Sequence, residues 1–374
     1  ETTVGDVTVR ASSVDVRSIG AGGGSIAHVP ELTVALRVGP QSAGADPGPA
    51  CYGKGGFEPT VTDANIVLGY LPGTAKLGGQ MVLDQAAAEQ SMGTIASGLG
   101  MSVEQAAAGI IDIVNEKMFS ALRLISVQQG IDPRDYALIA FGGAGPLHAN
   151  ALAKLLGAWP VIIPRGPGVL CAHGDATTRL RNETSRTLLR PFSQIQTTEV
   201  VTACDELAQA AALALDAEEV PRSEQTTSFE IDVRYHGQGT LLTLELKREE
   251  LQIVGLQAVG ERFDQLHQQL YTFSLDSDRE LVNIRAVVQG AATTVVPYHA
   301  EPGDGNPVRA VVGEQPVFLH DANQTAVIYD RAQLRADDVI RGPAIIIEMD
   351  STTLILTDHI GQVDMYGNIL IAPA

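Results

Sequence analysis

Apolar residues along this chain follow two periods, and the switches between them mark its elements. From residue 1 to 40 the strings "VTVRASSVDVRSI", "SIAHV" and "LTVALRV" carry β-branched residues between turn signals, which predicts a β-meander interrupted at "GAGGG". A glycine- and proline-rich loop follows, Gly39 to Pro59, and "TVTDANIVLGYL" starts a short helix at Thr62 or Asp63. Residues 83–98 and 102–129 have helical spacing. In the second, Ala106, Ile110, Ile113, Met118, Leu122 and Ile125 recur every three to five positions, while Asn115, Glu116, Arg123 and Gln129 are polar.

Beyond "GIDPRD" come a strand "YALIAF", a glycine turn Phe141 to Pro146, a helix from Leu147 to about Leu156 and a strand "PVIIP". A second glycine turn runs from Arg165 to Thr178. This alternation predicts α/β layering. From about Leu188 long strand patterns dominate, among them "SFEIDVRYHGQGTLLTLEL", "LVNIRAVVQGAATTVV" and "AIIIEMDSTTLILT", with helices in "TEVVTACDELAQAAALALDAE" and Val254 to Tyr271. The expected organisation is an α/β part over 1–187 and a β-rich α+β domain over 188–374.

Composition narrows the class. A chain of 374 residues, 45% hydrophobic, buries enough core for two domains. Its net charge of −19, with no basic patch, disfavours nucleic acid and anionic membranes as partners. No apolar run has the length of a transmembrane helix and no signal peptide is recognised, so a cytoplasmic location is expected. Cys51, Cys171 and Cys204 share no metal-ligand spacing, which fits a reducing compartment and predicts no metal site. The first residue is Glu1, so translation is expected to begin upstream.

Glycine use raises the chemical questions. The turn Phe141-Gly142-Gly143-Ala144-Gly145-Pro146 opens a helix, where backbone N–H groups and the positive dipole end suit a nucleotide. It equally suits a tight turn whose glycines allow close packing, and it matches neither a P-loop nor GxGxxG. "IGAGGGSIA" places four glycines within Gly20–Gly24, either an anion nest or a hairpin tip. His148 and His173 each follow a glycine turn and suit acid–base chemistry, or capping and packing. Asp63 reads as a helix N-cap. The Gly39–Pro59 loop exceeds an ordinary connection, and its prolines and glycines predict an ordered segment held at a lobe or subunit interface, with Asp46 exposed to that contact.

Taken together, "SVDVRSIGAGGGSIA", "RVGPQSAGADPGPACYGKGGFEPTVTDANIVLGYL", "DPRDYALIAFGGAGPLHA", "VIIPRGPGVLCAHG", "VRYHGQG", "LYTFSLDSDRELVNIR" and "GPAIIIEMDSTTLI" resemble the hydantoinase A and 5-oxoprolinase family over essentially the whole chain. The resemblance implies an actin-like ATPase (ribonuclease H-like) fold, here an incomplete second lobe over 1–187, followed by the β-rich domain. It implies ATP-dependent hydrolysis of cyclic amides, with the substrate activated by phosphorylation, in a hetero-oligomer completed by a B-type subunit. Gly142, Gly143, Ala144 and Gly145 match the family's adenosine motif. Asn115 and Arg123 are implied near the same end of the cleft, and Gly22, Gly23, Gly24 and Ser25 near the phosphates or the activated substrate. Asp46, Asp63 and His148 stand as substrate or interface candidates, and catalytic residues are not assigned.

The family's Asp-Gly-Gly-Thr type phosphate loops are absent from this sequence. The chain is therefore expected to be a C-terminal portion, or half of a split subunit, with ligands for phosphate and Mg²⁺ mainly on the missing N-terminal half. A subunit of an ATP-dependent ketone carboxylase is the alternative enzyme; a non-catalytic scaffold for the B-type subunit is the alternative of another class.

Overall fold

Side-chain caps written into the sequence set the helix starts. The computed structural model describes residues 14, 16–73, 78–292 and 296–374, together with the backbone of 2–4 and 7–9. Strands β1 (Thr2–Val4) and β2 (Val7–Val9) form a hairpin; part of the expected meander, residues 10–13 and 15, lies outside the described residues. β3 (Ser25–His28) pairs antiparallel with β4 (Arg37–Ser42). The strand expected from Leu32 thus begins only at Arg37, because Val34 takes a left-handed φ of 48° in a turn closed onto Pro30 O.

Helix α1 (Val61–Val67) has Thr60 as N-cap and Asp63 at the third helical position, a reciprocal capping box, so Asp63 is not itself the N-cap. α2 (Gln85–Leu99) is capped by Asp84 and stops at left-handed Gly100. α3 (Val103–Ile125) opens on a Ser102/Gln105 capping box. These helices share one core through Val61, Ala64, Met92, Ala106, Ile110 and Val114. β5 (Leu138–Ile139), α4 (Gly145–Leu156) and β6 (Val161–Ile163) follow, with β5 and β6 parallel.

After α5 (Leu170–Thr177), the chain forms β7 (Arg181–Pro191), α6 (Thr197–Ala217), β8 (Thr226–Tyr235), β9 (Leu242–Leu246), α7 (Arg248–Tyr271) and β10 (Arg279–Gln289). The four strands make one antiparallel sheet in the order β7-β10-β8-β9. Residues of α6 and α7 join one sheet face in a core that includes Cys204, Leu207, Ile231, Phe263 and Ile284. α7 is interrupted at Gly255, whose φ of 69° no helix contains.

The last stretch adds β11 (Val311–Leu319), β12 (Ala322–Asp330), β13 (Val339–Arg341), β14 (Ala344–Ile347), β15 (Thr352–Ile355), β16 (His359–Val363) and β17 (Ile369–Pro373). His320 and Asp321, with φ of 52° and 59°, give β11 and β12 the primed turn that matches strand twist. The sheets are β11-β12-β14-β15 and β13-β16-β17-β6-β5. β17 therefore pairs directly with β6. The outcome is a mixed α/β protein with several sheets, whose compact units are 1–173 with 297–374, and 174–296. These units divide the chain differently from a linear cut after residue 187, because the C-terminal strands return to complete the sheet begun by β5 and β6.

Candidate functional site

The turn between β5 and α4 is held from behind and open in front. Gly142, at φ 84°, donates its N–H to Pro167 O at 2.7 Å. The Ser351 hydroxyl lies 3.3 Å from Gly142 O and 3.2 Å from Gly143 O, donating to this carbonyl pair. Ala144 stands at the N-cap of α4 without a side-chain acceptor, so the positive end of the helix is left for another group.

What a side chain would meet distinguishes the glycines. A Cβ on Gly142 or Gly145 has nothing within 4 Å, and one on Gly143 meets only Asp350 O at 3.5 Å, an ordinary contact. Gly142 is required by its backbone angle, but neither positive φ nor packing requires glycine at 143 or 145. Other glycines have internal reasons. A Cβ on Gly168 would lie 2.5 Å from Asp350 O; on Gly23, 2.8 Å from Thr62 Oγ1; on Gly24, 2.8 Å from Ser42 Oγ.

The structure brings Asn115 and His148 together behind this turn. Both are buried, and His148 Nδ1 lies 2.9 Å from Asn115 Oδ1. With an amide oxygen as partner, Nδ1 carries the proton. Burial pushes the His148 pKa down to about 4, so the ring is neutral at pH 7. Arg123 is not part of this pair: it lies eight residues, roughly 12 Å, further along α3, exposed, with its guanidinium 5.8 Å from the Phe119 ring.

The Gly22–Ser25 segment is a closed turn. Ser25 N–H donates to Gly22 O, Gly22 N–H to Ser25 Oγ, and Thr62 donates both its N–H and its hydroxyl to Gly23 O. Gly23 and Gly24 are therefore small because α1 and β4 approach them. Asp63 is fully buried, its carboxylate accepting from Ala50 N (3.3 Å), Cys51 N (2.8 Å), Thr60 N (2.9 Å) and Thr60 Oγ1 (2.7 Å). It pins the Gly39–Pro59 loop to α1, and its oxygens face protein donors. Asp46 is exposed at the tip of a turn closed by Gly48 N–H on Ala43 O.

Sequence reasoning passed over Pro167 and Ser351 as parts of this site. Ser351 lies 208 residues from Gly143, and "EMDS" between apolar runs signals only a turn. His173 lies in the short α5. All three cysteines are free; burial pushes the Cys204 thiol up to about 11 and that of Cys51 higher still. Among the described residues no three His, Cys, Asp or Glu side chains gather as a metal site, and no helix is long and apolar enough to cross a membrane.

Comparison with known proteins adds an independent line. Residues 1–184 match the family described as Hydantoinase/oxoprolinase, and 192–365 match the Hydantoinase/oxoprolinase C-terminal domain. The chain is 37% identical to caprolactamase subunit alpha of Pseudomonas jessenii, over 91% of this chain and 50% of that one. It is 32% identical to the acetophenone carboxylase gamma subunit of Aromatoleum aromaticum, over 93% and 49%. 5-Oxoprolinase 1 of Arabidopsis thaliana is 29% identical, over 99% and 30%. The crystal structure of ATP-dependent caprolactamase from Pseudomonas jessenii superposes with a TM-score of 0.85 at 35% identity, covering 96% of this chain and 53% of that one. The chain thus spans half or less of the length of these three relatives.

Proposed function

The chain belongs to the hydantoinase/oxoprolinase family, and on that premise we propose that it is the nucleotide-binding part of an ATP-dependent cyclic-amide hydrolase. The supporting observation is the pair Gly143 and Gly145, which lack side chains for no internal reason at the open N-terminus of α4. A flat base and ribose approaching this turn would collide with any larger residue. In this proposal residues 1–173, within the unit they form with 297–374, belong to an actin-like lobe, and the sequence that longer relatives carry beyond the matched span completes the cleft.

The residues present fit the nucleoside end of ATP. Gly142, Gly143, Ala144 and Gly145 supply an unobstructed floor, Ser351 and Pro167 fix its backbone, and the Asn115–His148 hydrogen bond holds α4 against α3. ATP, when bound, supplies the phosphoryl group that makes a poor amide electrophile reactive. Mg²⁺ ligation is assigned mainly to the sequence that longer relatives carry beyond the matched span, and a B-type subunit completes the proposed enzyme.

Titration of ATP into the wild-type chain and into Gly143→Val and Gly145→Val tests the site. Affinity is expected to fall at least about tenfold in both variants, a loss of roughly 1.4 kcal/mol, with unchanged melting temperature. Equal affinity in all three would overturn the assignment. Turnover of a lactam, a hydantoin and 5-oxoproline by the assembled enzyme, against a ketone with bicarbonate, distinguishes hydrolase from carboxylase; no nucleotide binding at all would leave the scaffold.

A further inference from the structure

Arg331 forms the base of a cavity of about 610 Å³ in the unit that contains 1–173 and 297–374, within the size range of small-molecule sites. Its Nη2 donates to Ile163 O (3.1 Å), Pro164 O (3.3 Å) and Gly367 O (2.9 Å). Its Nη1 forms an ion pair at 3.9 Å with Glu348 Oε1, and neither atom has a hydrogen-bond partner among the described residues. The two side chains are only 8% and 11% exposed. A buried guanidinium N–H and a buried carboxyl oxygen that face each other unbonded each forgo a charge-assisted hydrogen bond.

The rest of the lining adds one residue of each charge, Arg165 and Asp330, the latter also accepting from Ala332 N–H and Gln333 Nε2. At the mouth the Arg165 guanidinium stacks 3.3 Å above the centre of the Tyr298 ring, and Asp330 lines the same space. The stack passes over Gly367, where a Cβ would come within 2.8 Å of Arg165 Cδ and 3.3 Å of Tyr298 Cε1. Leu334, Met349 and Val363 supply an apolar wall. A simple anion here would leave Glu348 facing a second negative charge, and a simple cation would leave Arg331 Nη1 without an acceptor. A ligand with both charges on neighbouring atoms completes both.

We propose that this cavity binds a free α-amino acid as its zwitterion. The ligand carboxylate takes Arg331 Nη1 and Arg165, the ammonium takes Glu348 Oε1 and Asp330, and the side chain lies along Leu334, Met349 and Val363. This assignment is independent of the nucleotide site at Gly142–Gly145.

Calorimetric titration of the chain with glycine, L-leucine and L-glutamate at millimolar concentration tests it, with acetate, methylammonium and 6-aminohexanoate as controls. Saturable binding of at least one α-amino acid is expected, weakened at least about tenfold by Glu348→Gln and by Arg165→Met. Glu348→Gln preserves shape, and Arg165→Met keeps a stem over Tyr298. Circular dichroism checks that both variants fold, and unchanged ATP affinity separates a failure here from a failure at the glycine turn. No binding of any α-amino acid would overturn the proposal and leave a bridging water between Arg331 and Glu348. Equal binding of acetate would reduce the cavity to an anion site, binding of 6-aminohexanoate alone would exclude adjacent charges, and undiminished binding in both folded variants would place the ligand elsewhere.

Discussion

His148 Nδ1 lies 2.9 Å from Asn115 Oδ1, and this buried hydrogen bond ties the helix that starts at the glycine turn to the 23-residue helix beside it. The contact makes His148 a positioning residue, neutral and without solvent access, and gives it a distinctive pH signature.

The folded pKa of His148, about 4, lies below its ordinary value of 6.5. Between those values the unfolded chain binds more protons than the folded one. Stability from this group is therefore complete above about pH 6.5 and is lost as pH falls towards 4, by up to roughly 3 kcal/mol. Urea unfolding of wild type and His148→Gln across pH 7 to 4 checks it: the difference between the two curves is expected to shrink as pH falls. A pH-independent difference would show that the ring is not held neutral.

Asp63→Asn is expected to destabilise the protein by roughly 2–4 kcal/mol, since an amide presents one acceptor oxygen to donors that the carboxylate satisfies with two. Hydrogen exchange locates the effect. In wild type the amides of Ala50, Cys51 and Thr60 are expected to be protected and those of Ala45 and Asp46 to exchange early; the substitution should release the first group. Early exchange at Cys51 in wild type would count against the pin.

Glycine substitutions are expected to sort by what the added atoms meet. Gly168→Ala and Gly24→Val should lower the melting temperature, since a Cβ would lie 2.5 Å from Asp350 O or 2.8 Å from Ser42 Oγ. Gly145→Val, with nothing within 4 Å of its Cβ, should leave the melting temperature close to wild type while weakening nucleotide binding. Thermal shift and ATP titration on the same three proteins decide it.

In the unit spanning 174–296, Arg285 sits among Glu183 (2.9 Å), Glu230 (2.5 Å) and Asp232 (3.7 Å), at 15% exposure. Arg285→Met leaves three carboxylates facing one another, and stability at pH 7 is expected to drop by roughly 2–4 kcal/mol. Urea unfolding of wild type, Arg285→Met and Arg285→Lys at pH 7 checks it: the lysine variant, which keeps a cation among the three carboxylates, is expected to lose less than the methionine variant. Equal losses in the two variants would overturn a role for the charge.

The helices were legible because their signals are local. The spacing of Ala106, Ile110 and Ile113 acts within a few residues, and so do the caps that the structure shows at Asp84 and at Ser102 with Gln105. The family strings and the presence of a glycine turn before α4 were equally plain. The strand expected from Leu32 was shortened by a left-handed Val34, and Asp63 moved from N-cap to third helical position because Thr60 supplies the cap.

The meaning of each glycine was beyond the sequence. Gly24 and Gly143 both sit in glycine-rich strings, yet one is small because Ser42 presses on it and the other has only an ordinary contact with Asp350. The same holds for Asn115, which faces His148, and for Ser351, which reaches Gly143 across 208 residues. Periodicity and caps report which backbone conformation a segment prefers. Which atoms lie within 4 Å of a side chain depends on segments far apart in the chain, such as the return of β17 to β6, and only the folded structure decides that.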